Sequence, residues 1–389
     1  MHIRLLKPRI GEEELNAVRG VFDDAWLGIG PRVKAFEEAW TEYLGSSASI
    51  ALNSCTAALH VALAAFRFPK GKKVLVPSLT FVSTALAALH NRLEPVFVDC
   101  DPETLSISVA DLERKITPDC VAVVPVHFGG HPADLVAILH LAKHYKLKVI
   151  EDCARCAGGA LQGRKLGTWG DFGCFSFDEK KLMTTGESGM ASSHDRQLSE
   201  TIRPMRWYGT AKDTARPAGG YTDVNFARHW YYEIAEIGYK VNMNDLAASI
   251  GLVQLKKLDR LNRRRLVLIS RYLDGLRTIR SLRPLLPYQQ NDGSAYFLFG
   301  VRTNRRDKLI RHLKERGIAS GVHFMPLRLQ PLFAAHGGTT PVAEALWTQM
   351  VSLPLFADLS ESEADYVLEA LYDFERRPVT AFDQAVPAD

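Results

Sequence analysis

The sequence predicts an α/β protein with a mainly parallel β-sheet flanked by helices, followed by a smaller C-terminal α+β unit. The first observation is a set of short runs whose apolar residues are continuous rather than alternating, as in parallel strands covered on both faces. These runs are KKVLVPS (72–78), EPVFVDC (94–100), AVVPVHF (122–128) and LKVIEDC (147–153). The second is the pair of helical patterns between them, at 108–116 and 132–145. This β-α-β alternation is typical of a doubly wound layer.

The pattern changes after about residue 244, where apolar residues recur at helical spacing as far as residue 276. A helix of that length commonly bridges two domains. The elements predicted beyond it are strands at 295–302 and 321–327, a helix at 306–317 that ends at Gly317, and a capped helix at 360–374. The predicted domains are a large α/β domain at 1–250, whose N-terminal segment can pack on the small domain, a small α+β domain at 251–376, and a disordered tail at 377–389.

Composition argues against several classes of protein. The 389 residues suit two domains, and the formal net charge is only +4. The basic run at 260–265 is typical of a solvated helix face, so we predict no nucleic-acid partner. The sequence contains no apolar stretch of about eighteen residues, so we predict no membrane span. The N-terminus becomes charged too early for a signal peptide.

The six cysteines are scattered, which predicts reduced thiols and a cytoplasmic location. Cys153 and Cys156 form a CxxC motif with no second pair at zinc-site spacing. A redox or metal role stays open, but we interpret the pair as packing and predict no metal site.

In open α/β sheets, ligands gather at the carboxyl ends of the strands, and unusual residues stand at several such ends here. Ser54, Cys55 and Thr56 precede an apolar helix, where free N–H groups could bind a phosphate. When they are taken alone, a simple N-cap is the better explanation. Phe81 follows another strand and could stack on a flat ring, although ordinary packing is an equal alternative.

Two further strand ends carry ionisable groups. Asp152 ends an apolar strand, where it could cap a helix or pair with a protonated ring nitrogen. Ser176 lies in a strand-like run that leads to Lys180 and Lys181. These lysines are either solvated turn residues or include a desolvated, nucleophilic amine. A phosphate site, an aromatic ring, a carboxylate and a semi-buried lysine together match pyridoxal phosphate. No glycine-rich nucleotide fingerprint competes, which argues against a nicotinamide-dependent dehydrogenase.

The sequence from about residue 5 to residue 375 resembles the DegT/StrS group of sugar aminotransferases, which are fold-type-I pyridoxal-phosphate enzymes. The segments that carry this resemblance occur in family order and are WLGIGPRVKAFEEAW (26–40), NSCTAALHVAL (53–63), VPSLTFVSTALA (76–87), PVFVDCDPETLSIS (95–108), IEDCARCAGG (150–159), GRKLGTWGDFGCFSF (163–177), TTGESG (184–189), GYKVNMNDLAASIGLVQL (238–255), HFMPLRLQP (323–331) and SLPLFADLS (352–360).

The resemblance implies roles for the residues at the strand ends. In the family, a phenylalanine-serine-phenylalanine segment is followed after three residues by the Schiff-base lysine, which places that lysine at Lys181 and leaves Lys180 incidental. Asp152 becomes the partner of the pyridine nitrogen, and Phe81 becomes the residue that stacks on the ring.

The resemblance also implies how the phosphate is held. Cys55, Thr56 and Ser176 would bind it from the same chain. Lys240 or Asn242 would reach it from the partner subunit, which implies a homodimer with shared active sites. Cys55 stands where glycine is common in the family, and a contact through the backbone survives that change.

Other departures concern the substrate. Arg155 stands where the family usually has glutamine or histidine near the cofactor hydroxyl, and it could contact that hydroxyl or a substrate carboxylate. Arg328 replaces a usual histidine. With His323 and Trp26 it forms the expected substrate-binding set. Two additional arginines would suit an anionic acceptor.

The resemblance therefore implies an aminotransferase that moves an amino group from glutamate or glutamine to a keto sugar, either nucleotide-linked or a sugar acid, in amino-sugar biosynthesis. The alternatives are a pyridoxal-phosphate-dependent sugar dehydratase and a non-catalytic cofactor-binding regulator. Relatives that act as dehydratases generally replace the lysine with histidine, whereas Lys181 is present here.

Overall fold

The computed structural model describes residues 2–210, 233–288 and 293–376. The tail predicted to be disordered, 377–389, lies outside these ranges. No helix within them is long and apolar enough to cross a lipid bilayer.

A seven-stranded, mainly parallel sheet forms the centre of the molecule. In chain order, the strands of the first half are β1 (Ala48–Leu52), β2 (Lys73–Pro77), β3 (Glu94–Val98), β4 (Cys120–Val123), β5 (Lys148–Asp152), β6 (Ala160–Leu161), β7 (Arg164–Lys165), β8 (Phe172–Ser176) and β9 (Gly189–Ser193). The sheet order is β1-β9-β8-β5-β4-β2-β3, while β6 and β7 form a separate small ribbon. Only β9 runs antiparallel to its neighbours in the large sheet. The parallel pairing and the strands predicted at 72–78, 94–100 and 147–153 are thereby confirmed. The strand predicted at 122–128 is displaced, because β4 ends at Val123.

Helices flank this sheet and connect its strands. They are α1 (Glu12–Asp23), α2 (Pro31–Leu44), α3 (Cys55–Ala64), α4 (Ser83–His90), α5 (Val109–Lys115), α6 (Leu135–Tyr145) and α7 (Arg196–Met205). The hydroxyl of Ser108 accepts a hydrogen bond from the N–H of Asp111 at 3.3 Å, which caps α5 and confirms the helix start expected there.

The C-terminal part combines a long helix with a small antiparallel sheet. Its elements are α8 (Asp245–Leu276), β10 (Arg283–Pro284), β11 (Phe299–Arg302), α9 (Arg306–Glu315), α10 (Pro341–Leu346), β12 (Met350–Leu353) and α11 (Glu361–Arg376). Ser360 and Glu363 bond reciprocally at the start of α11 as a capping box, which confirms the predicted cap. Residue 250, where we placed the domain boundary, lies inside α8, and the division into two domains stays a prediction.

Two of the predicted C-terminal strands differ from the structure. The strand expected at 295–302 begins only at Phe299, because the N–H groups of Ala295 and Phe297 bond to the carbonyls of residues 130 and 129 instead of a neighbouring strand. The strand predicted at 321–327 is wrong. Apart from a bridge from Gly321 to Ser352, the segment leaves the small sheet, and Leu327 donates to the carbonyl of Ser78 at the end of β2.

The N-terminal residues join the C-terminal part to the rest of the molecule. Ile3 forms a bridge with Ile318 and donates to the carbonyl of Gly317 at 2.9 Å. The segment at 321–327 also reaches the carboxyl ends of the large sheet. C-terminal residues therefore border the same end of the sheet that carries Asp152 and Ser176.

Candidate active site

A cavity of about 380 Å³ lies where the carboxyl ends of β5 and β8 meet the first turn of α3. Most of the residues expected from the sequence line it, namely Cys55, Thr56, Phe81, Asp152, Arg155, Ser176, Lys181 and His323. The fold brings these residues together from both the large sheet and the C-terminal part. The position agrees with the rule that ligands bind beyond the carboxyl ends of parallel strands.

The other expected residues are not in the lining of this cavity. The Trp26 indole donates to the carbonyl of Ile29 at 2.9 Å, and the Arg328 guanidinium donates to the Glu344 carboxylate at 2.8 Å. Their assignment to the substrate stays a prediction, and Glu344 offsets the charge of Arg328.

Lys240 and Asn242 also lie outside the lining. The Lys240 amine donates to the side-chain oxygen of Asn242 at 2.6 Å and lies 3.5 Å from the centre of the Trp207 ring. Their expected phosphate is in the partner subunit, so this position leaves that prediction open.

The two adjacent lysines have different surroundings. Lys181 is partly buried, and its amine lies 5.8 Å from the centre of the Phe297 ring. Burial lowers the pKa of this amine, and the charge of Arg155 acts in the same direction. The side chain of Lys180 is 61% exposed and pairs with Glu179 at 3.1 Å. The structure therefore favours Lys181 as the amine with access to neutral, nucleophilic chemistry.

Asp152 is held in a fixed orientation by two hydrogen bonds. The Thr84 hydroxyl donates to its Oδ2 at 2.7 Å, and the Ala154 N–H donates to its Oδ1 at 3.1 Å. The Thr80 hydroxyl lies 3.0 Å from that of Thr84 and continues the network. Asp152 is only 6% exposed, so the carboxylate is a preorganised acceptor for a cationic N–H in the cavity. We did not identify Thr84 from the sequence, although its run of hydroxyl residues was a usable signal.

Glu151, next to Asp152, has a separate structural task. Its carboxylate accepts hydrogen bonds from the N–H groups of Gly167, Trp169 and Gly170. It also lies 3.2 Å from the buried imidazole of His127. Successive residues of a strand face opposite sides of a sheet, so only one of two adjacent carboxylates can face the cavity.

The first turn of α3 forms a potential anion site. The Ser54 hydroxyl caps the helix by accepting from the N–H of Ala57 at 3.1 Å, and Ala58 makes the first backbone bond of the helix. Within the described ranges, we find no acceptor for the N–H groups of Cys55 and Thr56. Burial raises the pKa of the Cys55 thiol, so it stays neutral. Cys55 would therefore contact a phosphate through its backbone.

Gly189 allows β9 to approach this turn closely. A Cβ on Gly189 would lie 2.3 Å from the carbonyl carbon of Ser54 and 2.5 Å from the nitrogen of Cys55. We expect Gly189→Ala to displace the turn and to weaken cofactor binding about tenfold or more, measured as the cofactor dissociation constant. A Cβ on Gly28 meets open space, so Gly28→Ala is the matched control. Wild-type cofactor affinity in Gly189→Ala would contradict the proposed anion site.

Aromatic rings form one wall of the cavity. The Phe81 side chain is 56% exposed, and its ring centre lies 6.0 Å from that of Phe324. The Arg155 guanidinium lies between Phe324, at 4.7 Å, and Phe297, at 4.5 Å. Phe297 and Phe324 come from the C-terminal part and were not identified from the sequence. An exposed ring such as Phe81 is available to stack on a planar ligand.

His323 is a neutral residue of the cavity. Its Nδ1 lies 2.7 Å from the Ser352 hydroxyl. Burial and the positive charges of Arg155 and Lys181 lower the pKa of its imidazole to about 3. His323 can therefore offer a hydrogen bond to a substrate without adding charge.

The CxxC cysteines lie behind the cavity in the core. Cys153 and Cys156 are buried with His127, and their potential ligand atoms lie within 4.8 Å of one another. Burial raises the pKa of both thiols. The Nδ1 of His127 accepts from the N–H of Ala133, and its Nε2 faces Glu151. These contacts favour packing, and the predicted lack of a metal role stays a prediction.

The residues of the cavity fit pyridoxal phosphate. The two N–H groups of the first turn of α3 and the hydroxyl of Ser176 suit the phosphate, and Asp152 suits the ring nitrogen. Lys181 supplies an amine for the aldehyde. The buried Nη1 of Arg155 has no hydrogen-bond partner within the described part of the chain and is a donor for a bound group.

Comparisons with known proteins agree with this fit. A model of the DegT/DnrJ/EryC1/StrS aminotransferase family matches residues 8–372. The spore coat polysaccharide biosynthesis protein SpsC of Bacillus subtilis is 36% identical over 378 residues, which cover 94% of this chain and 95% of that protein. The aminotransferase TlmJ from Streptoalloteichus hindustanus superimposes with a TM-score of 0.88 at 36% identity, over 96% of this chain and 98% of that chain.

A second solved structure extends the same comparison. PseC of Helicobacter pylori, an aminotransferase involved in the biosynthesis of pseudoaminic acid, gives a TM-score of 0.89 at 25% identity, over 96% of this chain and 99% of that chain. The predicted fold class and cofactor are thus confirmed. The chain belongs to the DegT/DnrJ/EryC1/StrS family of pyridoxal-phosphate-dependent sugar aminotransferases.

Proposed function

We propose that the protein transfers an amino group from glutamate or glutamine to a keto sugar, either nucleotide-linked or a sugar acid, in amino-sugar biosynthesis. The observation that carries this proposal is the partly buried Lys181 amine in one cavity with the fixed Asp152 carboxylate. The relatives support the sugar acceptor, since SpsC is named for polysaccharide biosynthesis and PseC for pseudoaminic acid biosynthesis.

The cavity residues would hold and orient the cofactor, which supplies an electron sink for the bond-breaking step when it is bound. Asp152 would keep the ring nitrogen protonated, with Thr84 holding the carboxylate in place. Phe81 would stack on one face of the ring. The turn at residues 55–56 and Ser176 would bind the phosphate. With these roles assigned, Lys181 would be the amine available to the reacting carbon.

Lys181 would act as the general base and then as the general acid. Its amine would take the proton from the α-carbon of the donor and return it to the carbon on the other side of the donor nitrogen. Because burial and Arg155 lower the pKa of this amine, its neutral form is more accessible at neutral pH than that of a solvated lysine. His323 is neutral and adds no positive charge beside it.

We further propose a cytoplasmic homodimer with shared active sites. Lys240 and Asn242 lie outside the lining of their own cavity, which supports a role for them at the phosphate of a partner subunit. The six cysteines are all free and buried, which suits a reducing compartment. We also propose a large α/β domain at 1–250 and a small α+β domain at 251–376, with the boundary near the start of the long helix α8.

Addition of glutamate to the purified holoenzyme tests the proposal. We expect the absorbance of the aldehyde form to disappear and 2-oxoglutarate to be released stoichiometrically, and a suitable keto sugar should then restore the starting spectrum. A keto sugar that loses a hydroxyl without gaining nitrogen would indicate the dehydratase. Absence of any spectral change with glutamate or glutamine would indicate a regulator, and either result would contradict the proposed reaction.

A further inference from the structure

The Arg155 guanidinium is held rigidly in the cavity but is incompletely hydrogen-bonded. The rings of Phe297 and Phe324 lie on it at 4.5 and 4.7 Å, and such cation–π contacts fix its plane. Its Nη1 is buried and finds no acceptor within residues 2–210, 233–288 and 293–376. A buried, charged donor without an acceptor is unfavourable, so this arrangement points to an anionic ligand that completes it.

The charge of Arg155 is maintained in the cavity. Burial lowers the pKa of the guanidinium to about 10, while the charges of Asp152 and Asp178 oppose that shift. The side chain is therefore cationic at neutral pH. Asp152 already accepts hydrogen bonds from Thr84 and Ala154. In the proposed function its remaining partner is the ring nitrogen of the cofactor.

Arg155 lies near the nitrogen of Lys181, which the nitrogen of the amino donor replaces in the proposed reaction. Its charge is felt by both the Lys181 amine and the His323 ring. In the proposed reaction, the nitrogen of the amino donor takes the place of the Lys181 amine. The carboxylate carbon of an α-amino acid lies only about 2.5 Å from its nitrogen, as fixed by bond lengths and angles. The donor carboxylate must therefore lie close to the position of the Lys181 amine.

The other nearby cations are not suited to that carboxylate. Lys180 is largely exposed and pairs with Glu179, and Arg328 is paired with Glu344 outside the lining of the cavity. Lys181 is the reacting amine itself. Arg155 and the Lys181 amine lie 4.5 and 5.8 Å from the centre of the same Phe297 ring. Arg155 is therefore left as a fixed cation near the reacting amine, with a donor that has no partner among the described residues.

We propose that Arg155 binds the carboxylate of the amino donor and thereby selects an α-amino acid as the first substrate. This inference rests on the proposed transamination and adds a donor-specific residue to it. A keto sugar without a carboxylate beside its carbonyl cannot use this contact. Arg155 is therefore expected to contribute to binding of the donor and not to binding of the acceptor.

The test measures the two half-reactions separately in the holoenzyme, by stopped-flow absorbance, for wild type, Arg155→Gln and Arg155→Lys. We expect the half-saturating glutamate concentration to rise about 100-fold in Arg155→Gln and by an intermediate factor in Arg155→Lys, which keeps the charge without the planar fork. Lys180→Gln, the matched loss of a neighbouring positive charge, should change it by about threefold at most. In Arg155→Gln the half-saturating keto-sugar concentration should stay within about threefold of wild type, whereas the rates of both half-reactions shift together because the charge that lowers the pKa of Lys181 is lost.

A binding measurement keeps the inference independent of turnover. Glutarate, a dicarboxylate without an amine, should bind the wild-type holoenzyme in calorimetry and bind Arg155→Gln about 100-fold more weakly. If both half-reactions and cofactor affinity fall together, Arg155 serves the cofactor, and the inference is overturned. Unchanged glutamate and glutarate affinities in Arg155→Gln would also overturn it. A wild-type enzyme that converts neither glutamate nor glutamine refutes the proposed function instead, and the glutarate arm still decides the role of Arg155.

Discussion

Replacing Lys181 with alanine is expected to abolish transamination, with a loss of at least about 10⁴-fold in the rate of the glutamate half-reaction. The physical reason is that Lys180, the other lysine in the described lining of the cavity, is largely exposed and pairs with Glu179, whereas Lys181 is partly buried. The backbone N–H of Lys181, which donates to the carbonyl of Asp178, is retained in the variant. The fold should therefore survive, as measured by circular dichroism and the melting temperature.

Lys180→Ala is the matched control for this prediction. It removes an amine one residue away that is 61% exposed, so its half-reaction should stay within about threefold of wild type. A Lys181→Ala enzyme that transaminates at the wild-type rate, or a Lys180→Ala enzyme that is inactive while folded, would refute the assignment of the reacting lysine.

Replacing Asp152 with alanine is expected to produce the second-largest effect. The cofactor should bind about 100-fold more weakly, and the glutamate half-reaction should lose most of its rate. Because Thr84 and Ala154 already orient the buried carboxylate, it needs little reorganisation free energy to accept a hydrogen bond from a protonated ring nitrogen. Alanine would leave that nitrogen without its acceptor. Cofactor titration and single-turnover kinetics measure the two effects.

Two milder variants separate the charge of Asp152 from its orientation. Asp152→Asn keeps the shape without the charge and should resemble the alanine variant in rate. Thr84→Val removes the 2.7 Å hydrogen bond but keeps the carboxylate, and a loss of about tenfold in cofactor affinity is expected. Near-normal rates in both Asp152 variants would eliminate the proposed pairing with the ring nitrogen.

The local chemistry at the strand ends was accessible from the sequence. Continuous apolar runs predicted the parallel strands because a strand covered on both faces needs apolar residues at every position. Since a parallel sheet collects its carboxyl ends at one edge, Asp152, Ser176 and Lys181 were expected together, and they line one cavity in the structure. The choice of Lys181 over Lys180 came from the family resemblance, and the difference in burial now supports it.

Tertiary contacts were beyond the reach of sequence patterns. Residues 321–327 have a strand-like composition, but Leu327 bonds to Ser78 rather than to a neighbouring strand, and only the folded chain shows that partner. The pairing of Arg328 with Glu344 is likewise a contact between separate elements. The same holds for the aromatic rings on Arg155, which come from segments far away in sequence. These contacts, rather than residue type, decide which charged side chains are free to meet a ligand.

That Lys181 carries the cofactor is tested most directly by borohydride reduction of the holoenzyme, followed by proteolysis and mass spectrometry. Reduction should fix the added mass of the cofactor on the side-chain nitrogen of Lys181 and leave Lys180 unmodified. A preparation that was active before reduction and in which residue 181 is then unmodified, or in which the added mass is found on Lys180, would contradict that assignment.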